Sequence, residues 1–292
     1  GSVGGDIRRK ISTFCNVKPE CVIENLTMPS LYQCPLMLHT NGLDDVVVEK
    51  LKLDVPPADL TEWKGVVSRI ATRSKTCTIA LVGKYVKLHD AYLSVMESLY
   101  HAGFENDSQV DIKWVESEDL IDQDACKEVF ADVDGIIVPG GFGDRGIEGM
   151  IQAAQYAREN QIPYFGICLG MQLLFEKSYE YGEHEGLGFV KGEVCPLEPD
   201  LKDKTLKVPQ IGWNALHIVR DDPLFRYIRE GEYVYYVHSY YGKNCTESTL
   251  AVSDYSIPVT GVVRAGRVYG TQFHPEKSGE TGLRILRAFA EL

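Results

Sequence analysis

The feature that most constrains the fold is an alternation, from residue 77 onward, of short apolar runs with amphipathic stretches. The apolar runs are short and bounded by turn residues, as buried β-strands are, and the stretches between them have helical spacing. This alternation predicts a mostly parallel sheet covered by helices on both faces. The predicted strands are 77–83, 109–115, 134–138 and 163–167, and the predicted helices are 89–103, 123–130 and 147–159.

The rest of the chain divides differently. Residues 232–241 and 261–273 are β-rich, and GLRILRAFAEL (282–292) predicts a closing helix. Residues 6–76 carry short apolar segments, a Pro-containing connector and one predicted helix, so a domain boundary is expected near residue 76. The opening residues 1–5, GSVGG, are interpreted as a tag or linker.

The strand PYFGI (163–167) runs directly into Cys168 and then LGMQLLFEKS (169–178), whose spacing predicts a helix. A strand that turns into a helix through Gly-x-Cys-x-Gly is typical of a nucleophile elbow, which exposes one side chain above the sheet. At a helix N-terminus a thiol is favoured in its charged form. The alternative is a small buried cysteine flanked by glycines for packing.

A nucleophilic cysteine needs a base and a group that orients the base. His274 and Glu276, in YGTQFHPEKSG (269–279), end a β-rich run, and in an extended segment their side chains point the same way. Taken alone, His-Pro-Glu is more typical of a surface turn. Together with the elbow it predicts that Glu276 orients His274 toward Cys168.

The Gly-rich segment VPGGFGDRG (138–146) follows the predicted strand 134–138. Glycine frees backbone N–H groups to stabilise an oxyanion. We expect the N–H groups of Gly141 and Leu169 to do so. A phosphate-binding loop is the alternative, but the segment lacks the Gly-Lys-Ser/Thr ending of such loops.

Composition excludes several function classes. The net charge of −12 and pI near 5.1 argue against nucleic-acid binding, which needs clustered basic residues. The eight cysteines lack paired CxxC spacing, which argues against a zinc site or a disulfide framework and favours a reducing, cytoplasmic setting. No apolar run approaches the roughly 18 residues of a membrane span. We expect no metal, cofactor, membrane or nucleic-acid partner.

The motifs PGG, GxCxG and HPE, in that order, resemble the class I (triad) glutamine amidotransferases over about residues 77–292. The resemblance implies an α/β fold, a mostly parallel sheet flanked by helices, preceded here by an N-terminal appendage and linker. It implies that Cys168 attacks the carboxamide of L-glutamine, that His274 is base and acid, and that Glu276 orients it. The implied substrate contacts are Gly141, Leu169, Gly170, Met171, Gln172, Glu180, Ser239 and Tyr240.

Different parts of the chain resemble two branches of the family. Residues 7–173 are similar to bacterial CTP synthase, so 6–76 would be the tail of a synthase domain plus a linker helix. Residues 166–292 are similar to the glutaminase subunit of imidazole glycerol phosphate synthase, which suggests a chimera. The implied partner is a synthase domain or subunit that receives ammonia, and this chain alone is not expected to make CTP.

Two other functions stay open at this point. One is a catalytically silent hybrid that keeps the fold, and the other is a hydrolase of γ-glutamyl peptides that uses the same elbow. Binding of an effector nucleotide near Phe142 to Arg145 is a further open question.

Overall fold

The computed structural model describes residues 4–141 and 145–292, which fall into two compact units divided between Ser74 and Lys75. The Gly-rich segment 138–146 is thus described at both ends, while Phe142 and its two following residues lie outside the described residues. Most of the range considered for an effector nucleotide lies there too. Residues 1–3 of the expected tag are likewise outside.

The first unit is helical. Met37 is the one buried hydrophobic side chain among its described residues, whereas Phe14 and Leu31 are 89% and 84% exposed. Trp63 ties two of its segments together by donating from Nε1 to the carbonyl of Tyr32 at 2.8 Å. This unit therefore encloses little core of its own. Its helices are α1 (Gly5–Cys15), α2 (Cys34–Thr40), α3 (Leu43–Leu51) and α4 (Thr61–Thr72).

The second unit is an α/β fold. Its strands are β1 (Lys75–Gly83), β2 (Ser108–Glu116), β3 (Gly135–Val138), β4 (Tyr164–Ile167), β5 (Phe175–Ser178), β6 (His184–Glu185), β7 (Val190–Pro196), β8 (Gln210–Ala215), β9 (His217–Ile218), β10 (Tyr233–His238), β11 (Tyr240–Lys243), β12 (Thr249–Asp254), β13 (Pro258–Ala265) and β14 (Val268–Thr271). Its helices are α5 (Leu93–Glu105), α6 (Gln123–Val129), α7 (Ile147–Glu159), α8 (Leu169–Gln172) and α9 (Gly279–Ala290).

The main sheet has the strand order β2-β1-β3-β4-β14-β13-β12-β9. The pairs from β2 through β14 are parallel, and β13, β12 and β9 continue the sheet in antiparallel pairing. A second sheet, β11-β7-β5-β6, and a ribbon of β10 with β8 complete the unit. The predicted mostly parallel sheet flanked by helices is confirmed.

Helices cover both faces of the main sheet because its central strands are apolar on both sides. Ala80 and Val82 of β1 face one core, with Met150 and Ala153 of α7. Leu81, between them, faces the other core, which includes side chains from α5 and α9. Side chains alternate across a strand, so a continuous apolar run must be buried on both faces.

The segment after Cys168 differs from its prediction. Helix α8 ends at Gln172, and Phe175–Ser178 is strand β5 instead of a continued helix. Phe175 is fully buried, and in the pairing of β5 with β7 it lies opposite Val190. Leu169, Leu173 and Leu174 have helical spacing, but the strand pairing of β5 overrides that pattern once the first turn is complete.

Candidate active site

The three sequence motifs meet at one edge of the main sheet. The PGG segment follows β3, Cys168 follows β4, and the segment with His274 follows β14. Strands β3, β4 and β14 are neighbours and parallel, so their carboxyl ends lie side by side. This edge is where open α/β sheets place their ligands.

Both glycines of the elbow are required by close backbone packing. A Cβ at Gly166 would lie 2.4 Å from the carbonyl oxygen of Gly170, and one at Gly170 would lie 2.2 Å from that of Val138. Cys168 itself has φ +51° and ψ −102°, a conformation that L-residues rarely adopt. The strain is held by a 2.7 Å hydrogen bond from the Cys168 N–H to the carbonyl of Thr271.

His274 and Glu276 form a close pair. Nδ1 of His274 lies 2.7 Å from Oε1 of Glu276, and the two side chains are 10% and 5% exposed. A carboxylate only accepts, so Nδ1 carries the proton and Nε2 is left for Cys168. The expected contact is present, but Glu276 lies in a 3-10 turn, Pro275–Lys277, instead of an extended segment. Pro275 favours this turn because its φ is fixed.

The surroundings of the His274 imidazole raise its pKa above the usual value. Its burial would lower the pKa, but contact with Cys168 and the hydrogen bond and charge of Glu276 raise the pKa of His274 to about 9. The ring can therefore hold a proton at neutral pH and return it to a leaving group.

The predicted oxyanion donors lie near the elbow. Leu169 is the first residue of α8, so its N–H has no acceptor within the helix. Gly141 lies across from it: a Cβ there would meet Leu169 Cδ2 at 3.9 Å and the stem of Lys84 at 3.8 Å. Burial raises the pKa of Glu180 above its usual value, although the charge of Lys84, itself 2% exposed, opposes the rise.

A cavity of about 290 Å³ opens beside α8 and brings several predicted substrate contacts together. Leu169, Gln172 and Glu180 line it, with Tyr181 and His184 on the exposed side. A space of this size, with a carboxylate and an amide among apolar groups, suits a small polar molecule.

Other predicted contacts lie elsewhere. Met171 is fully buried in the core, and Gly170 packs against Val138, and neither residue is among those that line this cavity. The Ser239 carbonyl accepts from the N–H of Leu197 at 2.9 Å, and that of Tyr240 accepts from Nε2 of Gln172 at 3.1 Å. A helix of one turn cannot aim four consecutive residues at the same space.

Sequence reasoning missed three residues of the site. A Cβ at Gly140 would lie 3.0 Å from Cε1 of His274 and 3.3 Å from Cβ of Cys168, so Gly140 packs closely against both. Gln272, fully buried, places Nε2 at 3.5 Å from the Cys168 sulfur. Burial lowers the pKa of His238 to about 4, so that ring is neutral. The position of Gln272 two residues before His274 was the available signal.

The described part of the chain contains neither a metal cluster nor a membrane-spanning helix. In the ranges 4–141 and 145–292, no group of His, Cys, Asp and Glu side chains is arranged to hold a metal ion. Within the same ranges, none of the helices combines the length and the apolar character needed to cross a membrane.

Two family models match the chain. The model described as "Glutamine amidotransferase class-I" matches residues 87–291, and that described as "CTP synthase N-terminus" matches residues 2–53. The first match contains the elbow and the His-Pro-Glu segment. The second falls entirely within the helical unit.

Curated relatives include CTP synthases from several bacteria. The Clostridium kluyveri CTP synthase is 43% identical over 294 residues, which cover 94% of this chain and 55% of the relative. The Streptococcus thermophilus CTP synthase is 54% identical over 170 residues, or 58% of this chain and 32% of the relative. The chain therefore spans about half the length of the Clostridium kluyveri relative.

Solved structures share the fold of this chain. The glutaminase domain of Trypanosoma brucei CTPS with bound acivicin superposes with a TM-score of 0.59 at 28% identity, covering 74% of this chain and 94% of that domain. A GMP synthase subunit from Thermoplasma acidophilum superposes with a TM-score of 0.52 at 19% identity, covering 75% of this chain and 94% of that one, which is a likeness of fold alone.

The expected resemblance of residues 166–292 to imidazole glycerol phosphate synthase is not supported, and neither is a chimera. A single CTP synthase aligns over 94% of the chain, so the alignment must extend well beyond the elbow. Short motifs shared by branches of a family, such as the elbow itself, explain why the second half resembled another branch.

Proposed function

The chain belongs to the class I glutamine amidotransferase family, and from that premise we propose that its second unit hydrolyses L-glutamine to glutamate and ammonia. The observation that carries the proposal is the convergence of Cys168, His274 and Glu276 at the carboxyl ends of β4 and β14. Their contacts supply a nucleophile, a base and an orienting carboxylate in the order that acyl transfer needs.

The first half of the reaction forms a thioester. The sulfur of Cys168 attacks the carboxamide carbon, and the carbonyl oxygen becomes an oxyanion that the N–H groups of Leu169 and Gly141 stabilise. His274 gives its proton to the amide nitrogen, the C–N bond breaks, and ammonia leaves. Glu276 keeps the imidazole aimed at the reacting atoms throughout.

The second half restores the enzyme. His274, now neutral, takes a proton from water as that water attacks the thioester carbon. The C–S bond breaks, glutamate leaves, and the proton returns to the Cys168–His274 pair. No oxidant, metal or cofactor enters this balance, because both halves are acyl transfers.

The cavity beside α8 is the proposed glutamine site. Glu180 would bind the α-ammonium group, because it is a half-buried acidic side chain that lines the cavity and a bound cation would favour its charged form. Gln172 would contact the substrate through its amide, and the backbone of Ser239 and Tyr240 would border it. Gly170 and Met171 contribute through the backbone turn that places Leu169.

The proposed recipient of ammonia is a CTP synthase-type acceptor domain. The supporting observations are the match of residues 2–53 to the CTP synthase N-terminal model and the CTP synthase relatives. We assign residues 6–76 to the end of that synthase domain and its linker, and 77–292 to the glutaminase domain. The chain spans about half of such a relative, so CTP formation is proposed only for a longer protein.

Glutamate release from L-glutamine tests the proposal. We expect the wild type to release glutamate and ammonia in equal amounts, and Cys168→Ala to lose all measurable turnover because no thioester can form. Cys77→Ala, at another half-buried cysteine, is the matched control and should retain activity.

Folded wild-type protein that releases no glutamate would contradict the proposal. Cleavage of γ-glutamyl peptides without glutamine turnover would instead assign the same triad to the hydrolase alternative. Equal rates in the wild type and Cys168→Ala would place any observed activity outside this site.

A further inference from the structure

Two glutamines form a continuous buried contact between the cavity and the nucleophile. Gln172 ends α8 and is 7% exposed, and Gln272 follows β14 and is fully buried. Nε2 of Gln172 lies 3.1 Å from Oε1 of Gln272, and Nε2 of Gln272 lies 3.5 Å from the sulfur of Cys168. The two amides thus link the end of α8 to the reacting atom.

The direction of each amide is fixed by a backbone carbonyl. The same Gln172 atom that contacts Gln272 also lies 3.1 Å from the carbonyl oxygen of Tyr240. That oxygen can only accept, and it also takes the Nδ1–H of His238 at 2.8 Å. The shared Gln172 atom must therefore be the donor nitrogen, so it meets the oxygen of Gln272. The Gln272 nitrogen is consequently the atom that faces the sulfur.

The backbone holds this arrangement in place. The N–H of Gln272 donates to the carbonyl of Gly261 at 2.9 Å, and the N–H of Cys168 donates to Thr271 next to it. Both ends of the contact are thus anchored on neighbouring strands. A buried, anchored amide loses little freedom when it donates to an ion.

Besides its contact with His274, the sulfur has two contacts of opposite preference. The carbonyl oxygen of Val237 lies 4.0 Å from Sγ and can only accept, which suits an S–H group. The Gln272 nitrogen can only donate, which suits a charged sulfur. A hydrogen bond to a charged acceptor is roughly twice as strong as one between neutral groups, so the shorter Gln272 contact outweighs the longer one.

We propose that Gln272 is the hydrogen-bond donor that holds the Cys168 sulfur and favours its negative charge, and that Gln172 and the Tyr240 carbonyl fix its direction. This inference rests on the proposed function and deepens it by adding a donor to the nucleophile. It also gives Gln172 two tasks, since the same side chain lines the glutamine cavity. Helix α8 has one turn only, so a fixed side-chain donor compensates for a weak helix dipole.

The rate of alkylation of Cys168 by iodoacetamide, followed from low to high pH by intact mass and peptide mapping, tests the inference without using glutamine. In Gln272→Met, which keeps the length but removes the donor, we expect the profile to move to higher pH. Alkylation at neutral pH should then be about tenfold slower relative to the alkaline plateau. Gln272→Glu should move the profile further, because it places a carboxylate beside the sulfur.

Gln172→Met provides a second variant. It leaves Gln272 in place but frees its oxygen, so the amide can turn either way and a smaller shift in the same direction is expected. Gln123→Met is the matched control: Gln123 also donates to the amide oxygen of another glutamine, Gln152, away from the site. Its profile should coincide with that of the wild type.

A folded Gln272→Met variant with the wild-type profile would overturn the inference. Should that variant fail to fold, as a thermal melt would show, an unshifted profile in Gln172→Met would overturn it instead. Wild-type protein that is alkylated at Cys168 but hydrolyses no glutamine would contradict the proposed function alone. An active wild type whose variants show no shift would contradict only the role of Gln272.

Discussion

Gly140 lies against both Cys168 and His274, the proposed nucleophile and base, and the absence of a side chain there leaves room for the two to meet. An added methyl group would lie 3.0 Å from the His274 ring and 3.3 Å from Cβ of Cys168. Both neighbours are restrained by other contacts: Glu276 bonds to the His274 ring, and the N–H of Cys168 donates to the carbonyl of Thr271. The ring therefore has to move away from the sulfur if Gly140 gains a side chain.

Gly140→Ala is accordingly expected to reduce glutamine hydrolysis by about a hundredfold, the cost of a small misplacement of a catalytic group. The melting temperature should change little. Gly65→Ala, in α4, is the matched control, because its new methyl group would meet only the end of the Arg69 side chain, at an ordinary distance of 3.7 Å. Equal losses in the two variants would contradict the assignment of Gly140.

At the scale of elements, the turn after β14 is tied to β10 by one side chain. Ser278, 2% exposed, donates from Oγ to the carbonyl of His274 at 2.6 Å and accepts from the N–H of Tyr235 at 2.9 Å. The N–H of His274 in turn donates to the carbonyl of Tyr235. His274, the proposed base, is thus positioned by a ribbon outside the main sheet.

Ser278→Ala should lower the free energy of unfolding by about 1–3 kcal/mol, because it removes both hydrogen bonds of a buried side chain and leaves the Tyr235 N–H without this acceptor. It should also lower kcat for glutamine hydrolysis, since the turn that carries His274 loses a support. Denaturant unfolding and steady-state kinetics measure both effects. Stability that falls with kcat unchanged would mean that Ser278 does not position His274.

Some of these elements could be predicted from the sequence, and others could not. Helix α7 has the predicted bounds, and the predicted contact of Glu276 with His274 is present, because the first follows from periodicity and the second from a short motif. The strand at Phe175–Ser178 was predicted as helix, since its pairing with β7 depends on residues distant in sequence. Gly140 and Gln272 were missed for a similar reason: their roles arise only when β3, β4 and β14 lie side by side.

At the scale of the whole molecule, two buried histidines make the stability of the fold depend on pH. His238 lowers the stability in acid, and His274 lowers it in alkali. Burial lowers the pKa of His238 to about 4 from 6.5, so acid favours the unfolded chain as pH falls from 6.5 toward 4. Despite burial, contacts with Cys168 and Glu276 raise the pKa of His274 to about 9. Its contribution is complete below pH 6.5 and is lost as pH rises through 9.

Thermal melts across this range should therefore show a less steep acid decline in His238→Gln than in the wild type, while the alkaline decline should be the same in both. The difference between them at low pH should reach up to about 3 kcal/mol. Superimposable acid limbs would contradict a neutral, buried His238.

The central claim, that Cys168 is the nucleophile of a glutamine-binding site, is tested most directly by labelling with a glutamine-like chloroketone followed by peptide mapping of the eight cysteines. We expect one adduct, on Cys168, formed more slowly when L-glutamine is present and absent from Cys168→Ala. Cys15 is exposed and serves as an internal comparison, because simple accessibility would favour it. Labelling of Cys15 in preference to Cys168, or an adduct on Cys168 that glutamine does not slow, would contradict the account.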